Sequence, residues 1–313
     1  MAVPVLVCGS MAFDTIVVFD GHFKDHIFPD RIQSLSVSFL VPTMRKEFGG
    51  CAGNIAYNLS LLGGAPLPVA TVGEDAGDYL AHFSARNINV SKVRIVPDTF
   101  TAQCYITTDL DDNQIAAFHP GAMEFSAEND FSDVKAGWAI VAPDSKAGMF
   151  AHAQRLHDSG VPFVFDLGQA MPLFDGADIE RMIGLAQALT VNDYEAGVVK
   201  QRTGRSMADI ARSMQAVVVT RGAEGTTLLT DGQTIQIPPV LVTEVLDSTG
   251  CGDSHRAGLL YGLTSGWNWL DSCRLANLMG AFKIASRGPQ NHAPTRAEIN
   301  ARLKAVYGIE LPA

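Results

Sequence analysis

The chain has 313 residues, a length that suits one large α/β domain. Its 33 acidic side chains outnumber 23 basic ones for a net charge of −10, which speaks against a nucleic-acid backbone or an anionic membrane as partner. Five cysteines, an odd number at wide spacings with no Cys-x-x-Cys, speak against a disulfide framework or a zinc site and fit a reducing, cytoplasmic setting.

Taken in order, VPVLVCGS is a short apolar run closed by Gly-Ser, the pattern of a buried strand. No basic region precedes it, so it reads as a first strand rather than a signal peptide. No uncharged apolar run is long enough to span a bilayer. Residues 15–48 alternate without a crossover helix. FGGCAGNIAYNLSLLGG is a glycine-rich turn opening an apolar helix that stops at Gly63-Gly64. PLPVATVGED is again strand-like. Residues 99–120 form a second region without a crossover helix. Within it TAQCYITTDLDDNQIAAFHPG reads as a hairpin: Tyr105 and Thr107 alternate with Cys104 and Ile106, Asp111-Asp112-Asn113 supplies the turn, and QIAAFH returns.

Beyond it, AIVAPD, PFVFDLG, ALTVNDYE and AVVVTRG are strands, with the helical KAGMFAHAQRLHDSG and SMADIARSMQ between them. Buried strands alternating with helices predict a mostly parallel sheet covered on both faces. The regions 15–48 and 99–120 are expected to add antiparallel strands that form a small lid over the strand ends where ligands bind. No internal repeat or low-complexity linker interrupts the chain, so residues 1–313 read as one domain with two lid insertions.

The segment DSTGCGDSHRAG, Asp247 to Gly258, carries chemistry. Gly250 and Gly252 allow close approach of backbone to a ligand, and a helix start just after them is an anion site. Asp253 would then stand beside the anion. A carboxylate repels a phosphate, so its use there is to take a proton from an attacking hydroxyl. On the segment alone an equal reading stands: Asp253 caps the helix and the glycines form a turn. It is not a Walker loop, since no Gly-Lys-Ser/Thr follows.

Four motifs stand in order along the chain. FGGCAGNIAYNLSLLGG resembles the N-terminal signature of the ribokinase (PfkB) carbohydrate-kinase family, and DSTGCGDSHRAG its C-terminal signature; NDYE and VVVTRGAEGTTLL between them resemble its N-x-x-E and T-x-G-x-x-G motifs. The resemblance covers nearly the whole chain. It implies a three-layer α/β/α domain with a β-sheet lid, and ATP-dependent phosphorylation of a hydroxymethyl group. By the same resemblance Asp253 is the base and the amides of Gly250, Cys251 and Gly252 form the anion hole. Asp14, Gly50 and Asn54 hold sugar hydroxyls. Asn192 and Glu195 lie near the phosphates and a hydrated Mg²⁺. Thr220, Gly222 and Gly225 line the nucleotide site, with Asn277 near the adenine. Asp247 and Thr249 are where family members hold a potassium ion. Each has a plain alternative: Asp14 a turn residue, Asn54 a helix cap, Asn192 and Glu195 solvated groups one turn apart, Thr220 and Gly222 a strand end.

Two departures from the family pattern stand out. Cys251 replaces a common alanine, with the same backbone amide. Ser254-His255 replaces the usual Ala-Phe, which reads as a tolerated core substitution or as an altered site. Within the family the chain looks closest to bacterial adenosine and nucleoside kinases, on EFGGCAGNIAYNL, AQCYITTDLDDNQIAAFHPGAM and STGCGD. Phe118 and Phe100 are candidates to stack on a purine, and Gln103 to bond its edge; for Phe118, packing within the lid is an equal reading. The expected activity is ATP- and Mg²⁺-dependent phosphorylation of a purine nucleoside at its ribose 5′-hydroxyl. A sugar kinase is the rival of the same fold, with Arg45 and Lys46 near the first motif read as exposed. A nucleoside sensor without turnover is the rival of another class, kept open by His255. Monomer and homodimer both stay open.

Overall fold

The computed structural model describes residues 3–28, 33, 36–111 and 113–312. Strand β1 (Pro4–Cys8) leads into β2 (Ala12–Val18) and β3 (Thr43–Gly49), then helix α1 (Cys51–Leu61), β4 (Ala65–Val72), α2 (Gly77–Ser84) and β5 (Val93–Ile95). The hairpin β6 (Ala102–Thr108) and β7 (Gln114–His119) follows. Next come β8 (Trp138–Val141), α3 (Lys146–Asp158), β9 (Phe163–Asp166), α4 (Gly176–Leu185), β10 (Ala188–Asn192), α5 (Asp193–Thr203) and α6 (Met207–Ala211). The chain ends with β11 (Ala216–Thr220), β12 (Thr226–Thr230), β13 (Gln233–Ile237), α7 (Cys251–Thr264), α8 (Trp269–Ile284) and α9 (Arg296–Tyr307).

The large sheet runs β13-β12-β11-β10-β9-β8-β1-β4-β5. All neighbours are parallel except β11–β12 and β12–β13. Strand residues alternate between two cores. Val5, Val7, Ile140 and Val218 pack with α1, α7, α8 and α9, while Leu6, Cys8, Val141, Phe165 and Val219 pack with α3, α4, α5 and α6. The three layers follow from that alternation, since a strand apolar at both parities has no face to give to water. Each fully buried Val, Leu, Ile or Phe contributes roughly 1.5–3 kcal/mol.

Order reverses at β1. The chain moves outward through β4 and β5, then returns to the far side of β1 at β8. The crevice beyond β1 and β8 is therefore the switch point where open α/β sheets take ligands. Helix α1 starts there: the amides of Ala52 and Gly53 donate to Ser10 O at 2.9 and 3.3 Å, and that of Cys51 to Ser10 Oγ at 3.1 Å. Gly50 makes this dock possible. Its φ is 83°, and a Cβ there would lie 2.6 Å from Ser10 O and from Ala12 N. Helix α7 is drawn against α8 at Gly258, where a Cβ would meet Ala276 Cα at 2.7 Å.

A second sheet, β3-β2-β6-β7, stands beside this end. Its outer pairs are antiparallel and its central pair, β2 with β6, is parallel. The central pairing departs from the antiparallel expectation because β2 and β6 belong to two separate excursions that leave the large sheet in the same direction. The hairpin turn is organised by Asp109, whose Oδ1 accepts the amides of Asp111 and Asn113; Asp112 lies outside the described residues. No helix among the described residues is long and apolar enough to cross a membrane.

Candidate active site

Helix α7 begins at the switch point with Gly250 as N-cap, φ 79°, and no side-chain cap. Ser254 N closes the first turn on Gly250 O at 2.9 Å, and Cys251 N turns back to Ser248 O at 3.1 Å. Among the described residues the amides of Gly250, Gly252 and Asp253 have no hydrogen-bond acceptor. Two of the three amides named from the sequence thus stand free, Cys251 N is spent in a turn, and Asp253 N joins the free set. Together with the positive end of a 14-residue helix they favour an anion. Burial pushes the Cys251 thiol up to about 11, so it stays neutral beside them.

The Asp253 side chain does not cap its own helix. Its Oδ2 accepts Asn54 Nδ2 at 2.8 Å, across to α1. Asn54 is not a cap either; it lies inside α1 and is 5% exposed, so its amide needs internal partners. Gln290 provides one: its Nε2 donates to Asn54 Oδ1 at 3.0 Å and to Tyr79 Oη at 2.7 Å, and its Oε1 meets His82 Nε2 at 3.1 Å. Tyr79 Oη in turn donates to Gly49 O at 2.6 Å. This buried chain fixes which face of the Asn54 amide meets Asp253. Burial pushes the Asp253 carboxyl up to about 6, with Asp166 adding to it and Asn54 and Arg256 opposing. A carboxylate poised there is matched to proton abstraction near neutral pH.

Sequence reasoning passed over Asp166, Arg256 and Gln290. Arg256 is 5% and Asp166 2% exposed, and they form a two-pronged pair, Nε to Oδ2 at 2.9 Å and Nη2 to Oδ1 at 3.0 Å. The signal was present: FVFD ends a wholly apolar strand on a carboxylate, and Arg256 opens the buried stretch RAGLLYGL, which is otherwise apolar but for the tyrosine hydroxyl. A buried charge of each sign calls for the other. Gln290 gave no such signal, because it lies in an irregular loop far along the chain. Asn192 and Glu195 form the capping box of α5. Glu195 is buried rather than solvated, and burial with the nearby Asp166 raises its carboxyl above the usual range.

On the small sheet, register places Glu47, Asp14, Cys104 and Phe118 in one row on one face. Asp14 is a strand residue, not a turn residue, and a Cβ on Gly49 would lie 2.5 Å from its Oδ2. Burial and then Glu47 push its carboxyl up to about 6. Arg45 shares this face two residues from Glu47; it is half-buried, which corrects its reading as exposed, while Lys46 is exposed and lies over the Phe13 ring. Gln103 pairs in register with Phe13 and so points to the opposite face, where its Nε2 donates to Asp75 Oδ2 at 3.2 Å and its Oε1 accepts Tyr105 Oη at 2.7 Å. The structure does not bring Gln103 to the Asp14 row; strand parity separates them. Phe118 and Phe100 are 54% and 65% exposed, so neither ring is committed to a core.

A cavity of about 380 Å³ opens beside Cys251 and Gly252 and reaches Thr220, Gly222 and Gly225, with Asn277 and His255 in its wall. Its remaining lining is mostly apolar, including Val240, Val245, Ala281 and Ile284. Asn192, in register with Thr220 on the neighbouring strand, lies outside this lining. Thr226 Oγ1 donates to Asn277 Oδ1 at 2.6 Å, so it accepts from His255 Nε2 at 3.2 Å. Burial, then Arg256, lowers His255 to about 3, so the ring is neutral, and among the described residues its Nδ1 has no partner. His255→Phe therefore loses one hydrogen bond and removes an unsatisfied buried nitrogen. Its kcat should stay within about tenfold of the parent, ~1.4 kcal/mol in the barrier. Steady-state rates at saturating ATP check this; a large gain would mark His255 as damage to the site.

Asp247 and Thr249, the residues named for potassium, are engaged with protein. Asp247 Oδ1 accepts Thr249 N at 2.9 Å, Oδ2 accepts Gly288 N at 2.8 Å, and its carbonyl accepts Lys283 Nζ at 2.7 Å.

A mostly parallel α/β/α domain with a small sheet at its ligand end is the fold of the ribokinase-type kinases, phosphotransferases with an alcohol group as acceptor. The pfkB family carbohydrate kinase model matches residues 13–296, and the chain belongs to that family. The nucleoside kinase of Methanocaldococcus jannaschii is 28% identical over 289 residues, 91% of this chain and 95% of that protein. The structure of the Burkholderia thailandensis nucleoside kinase in complex with inosine superposes with a TM-score of 0.89 at 51% identity, covering 99% of this chain and 100% of that one. The crystal structure of the M. jannaschii nucleoside kinase gives a TM-score of 0.88 at 25% identity, covering 96% and 98%.

Proposed function

We propose that this protein is an ATP-dependent purine nucleoside kinase that phosphorylates the ribose 5′-hydroxyl. The observation that carries the reading is the position of Asp253: a carboxylate near pKa 6, held by Asn54 of α1, at a helix start whose free amides border the nucleotide cavity. The purine follows from the Burkholderia relative, which is 51% identical and binds inosine.

Asp253 takes the proton of the 5′-hydroxyl as that oxygen bonds the γ-phosphorus and the bond from phosphorus to the β,γ-bridging oxygen breaks. The products are a nucleoside monophosphate and ADP. The amides of Gly250, Gly252 and Asp253 receive the charge that develops on the phosphoryl oxygens. Asp14, Gly50 and Asn54 orient the ribose, and Thr220, Gly222, Gly225 and Asn277 frame the nucleotide. Glu195 and Asn192 would hold hydrated Mg²⁺; a buried Glu195 beside Asp166 has negative charge to offer a cation, and the ion would supply charge neutralisation at the phosphates. The small sheet acts as a lid, closing Asp14 and Phe118 over the nucleoside.

An ADP-release screen across nucleosides and sugars tests this. A purine nucleoside should show much higher kcat/KM than ribose. Both present the same primary hydroxyl, so the difference comes from the base, whose stacking on Phe118 or Phe100 contributes roughly 1–3 kcal/mol. Phe118→Ala should then penalise the nucleoside more than ribose. Equal or better ribose turnover by the unaltered protein would transfer the assignment to a sugar kinase. Tight nucleoside binding with no ADP release would indicate a sensor.

A further inference from the structure

The Lys283 side chain is wholly buried at the last turn of α8, yet no carboxylate lies within 4 Å of its Nζ among the described residues. Its partners are two backbone carbonyls, Asp247 O at 2.7 Å and Ser286 O at 2.9 Å. A buried ammonium is retained only where other groups offset its lost hydration. Burial draws the Lys283 pKa below the usual lysine value, opposed by the nearby Asp247 carboxylate, and the two carbonyl dipoles face the charge. A set of inward carbonyl oxygens is also the coordination that proteins offer a monovalent cation such as potassium.

The position of this ammonium gives it a use. Asp247 lies in the loop that ends in Gly250 and the free amides of α7, while Ser286 belongs to the loop that follows α8. The two loops are laced together around Lys283: Leu246 N donates to Ile284 O at 2.9 Å, and Gly288 N to Asp247 Oδ2 at 2.8 Å. Pro289 then backs directly onto Gly250, where a Cβ would come within 2.7 Å of the proline Cβ. The shape of the anion loop thus depends on what fills the junction behind it.

We infer that the Lys283 ammonium is a tethered monovalent cation, standing where a free potassium ion would otherwise brace the anion loop, and that it makes this protein independent of potassium. The inference rests on reading the loop as the phosphate site. Lys283 touches no reacting atom; it is a positioning residue. A free ion can leave at low potassium, whereas a covalently held ammonium is present at every salt composition.

The test compares chloride salts of potassium, ammonium, sodium and choline at equal ionic strength, reading both the rate of ADP release and the melting temperature with and without MgADP. The unaltered protein should vary by no more than about twofold in rate across the four salts. Lys283→Ala should lose about tenfold or more in choline. Potassium or ammonium should restore much of that loss and raise the variant's melting temperature, which choline should not. Lys283→Met, whose side chain fills the gap, should lose as much and recover nothing. A parent protein activated about tenfold or more by potassium overturns the inference, as does Lys283→Ala at full rate in choline. If the variants fail to fold, the parent's response to potassium decides alone. If no substrate releases ADP, the kinase reading fails, and the melting temperatures still decide the role of Lys283.

Discussion

Asp253→Asn should lower kcat by several orders of magnitude while nucleoside still binds. The amide keeps the shape of the carboxylate and still accepts from Asn54 Nδ2, so the ground state is little altered. What is lost is the capacity to receive a proton as the phosphorus–oxygen bond forms, an interaction realised only in the transition state. A variant with near-normal kcat would remove Asp253 from the mechanism. In the unaltered protein the base must be ionised, so kcat/KM should fall with decreasing pH, on a limb centred near 6. The same raised value fixes the sign of the stability effect. A carboxyl lifted from 3.8 to about 6 favours the folded state most below the lower value, and that contribution is lost as pH rises through the upper one. Asp253→Asn should therefore melt higher than the parent at pH 8 and converge with it in acid. Asp253 is only half-buried, so solvent screening limits the gain to about 1 kcal/mol. A variant that is inactive yet more stable would mark the position as one held for chemistry.

Much of this site was legible because its residues come in local groups. The free amides, their helix start and Asp253 fall within a few residues of DSTGCGD, and local sequence dictates local backbone. The large sheet was legible for a similar reason: apolar runs such as AVVVT leave no polar face. The small sheet was harder. Its hairpin β6–β7 could be read from alternation, but the β2–β6 pairing joins residues ninety positions apart, and nothing local sets its direction. Gln103 shows the consequence. One step of register decides which face a strand residue takes, and Phe13, buried at 1%, carries Gln103 to the face away from Asp14. Gln290 and Lys283 were illegible for another reason. Gln290 gains its role from a partner 236 positions away and Lys283 from one 36 positions away, so neither segment carries a motif.

Arg256→Met should be the most damaging single change to stability. It leaves the Asp166 carboxylate buried without its two-pronged partner, and breaking a buried pair from one side costs about 3–5 kcal/mol. Urea denaturation of the purified variant reads this directly; a loss under about 1 kcal/mol would show that solvent reaches Asp166 and that the pair contributes little. The catalytic consequence is separable. Arg256 draws the Asp253 carboxyl down while Asp166 pushes it up, so the single variant should shift the acid limb of kcat/KM to higher pH. Asp166→Asn combined with Arg256→Met removes both influences. Its acid limb should return toward that of the parent, and its stability should recover in part, because no unpaired charge remains inside. If Arg256 acted only as packing, the double variant would inherit the loss of the single one and the limb would not move in either. Arg256→Lys divides the contributions further. A point charge keeps the long-range pull on Asp253 but cannot match the planar fork, so the pH limb should stay near the parent's while stability falls. A lysine variant with parental stability and a displaced limb would reverse that assignment, making the fork dispensable and the exact placement of the charge decisive.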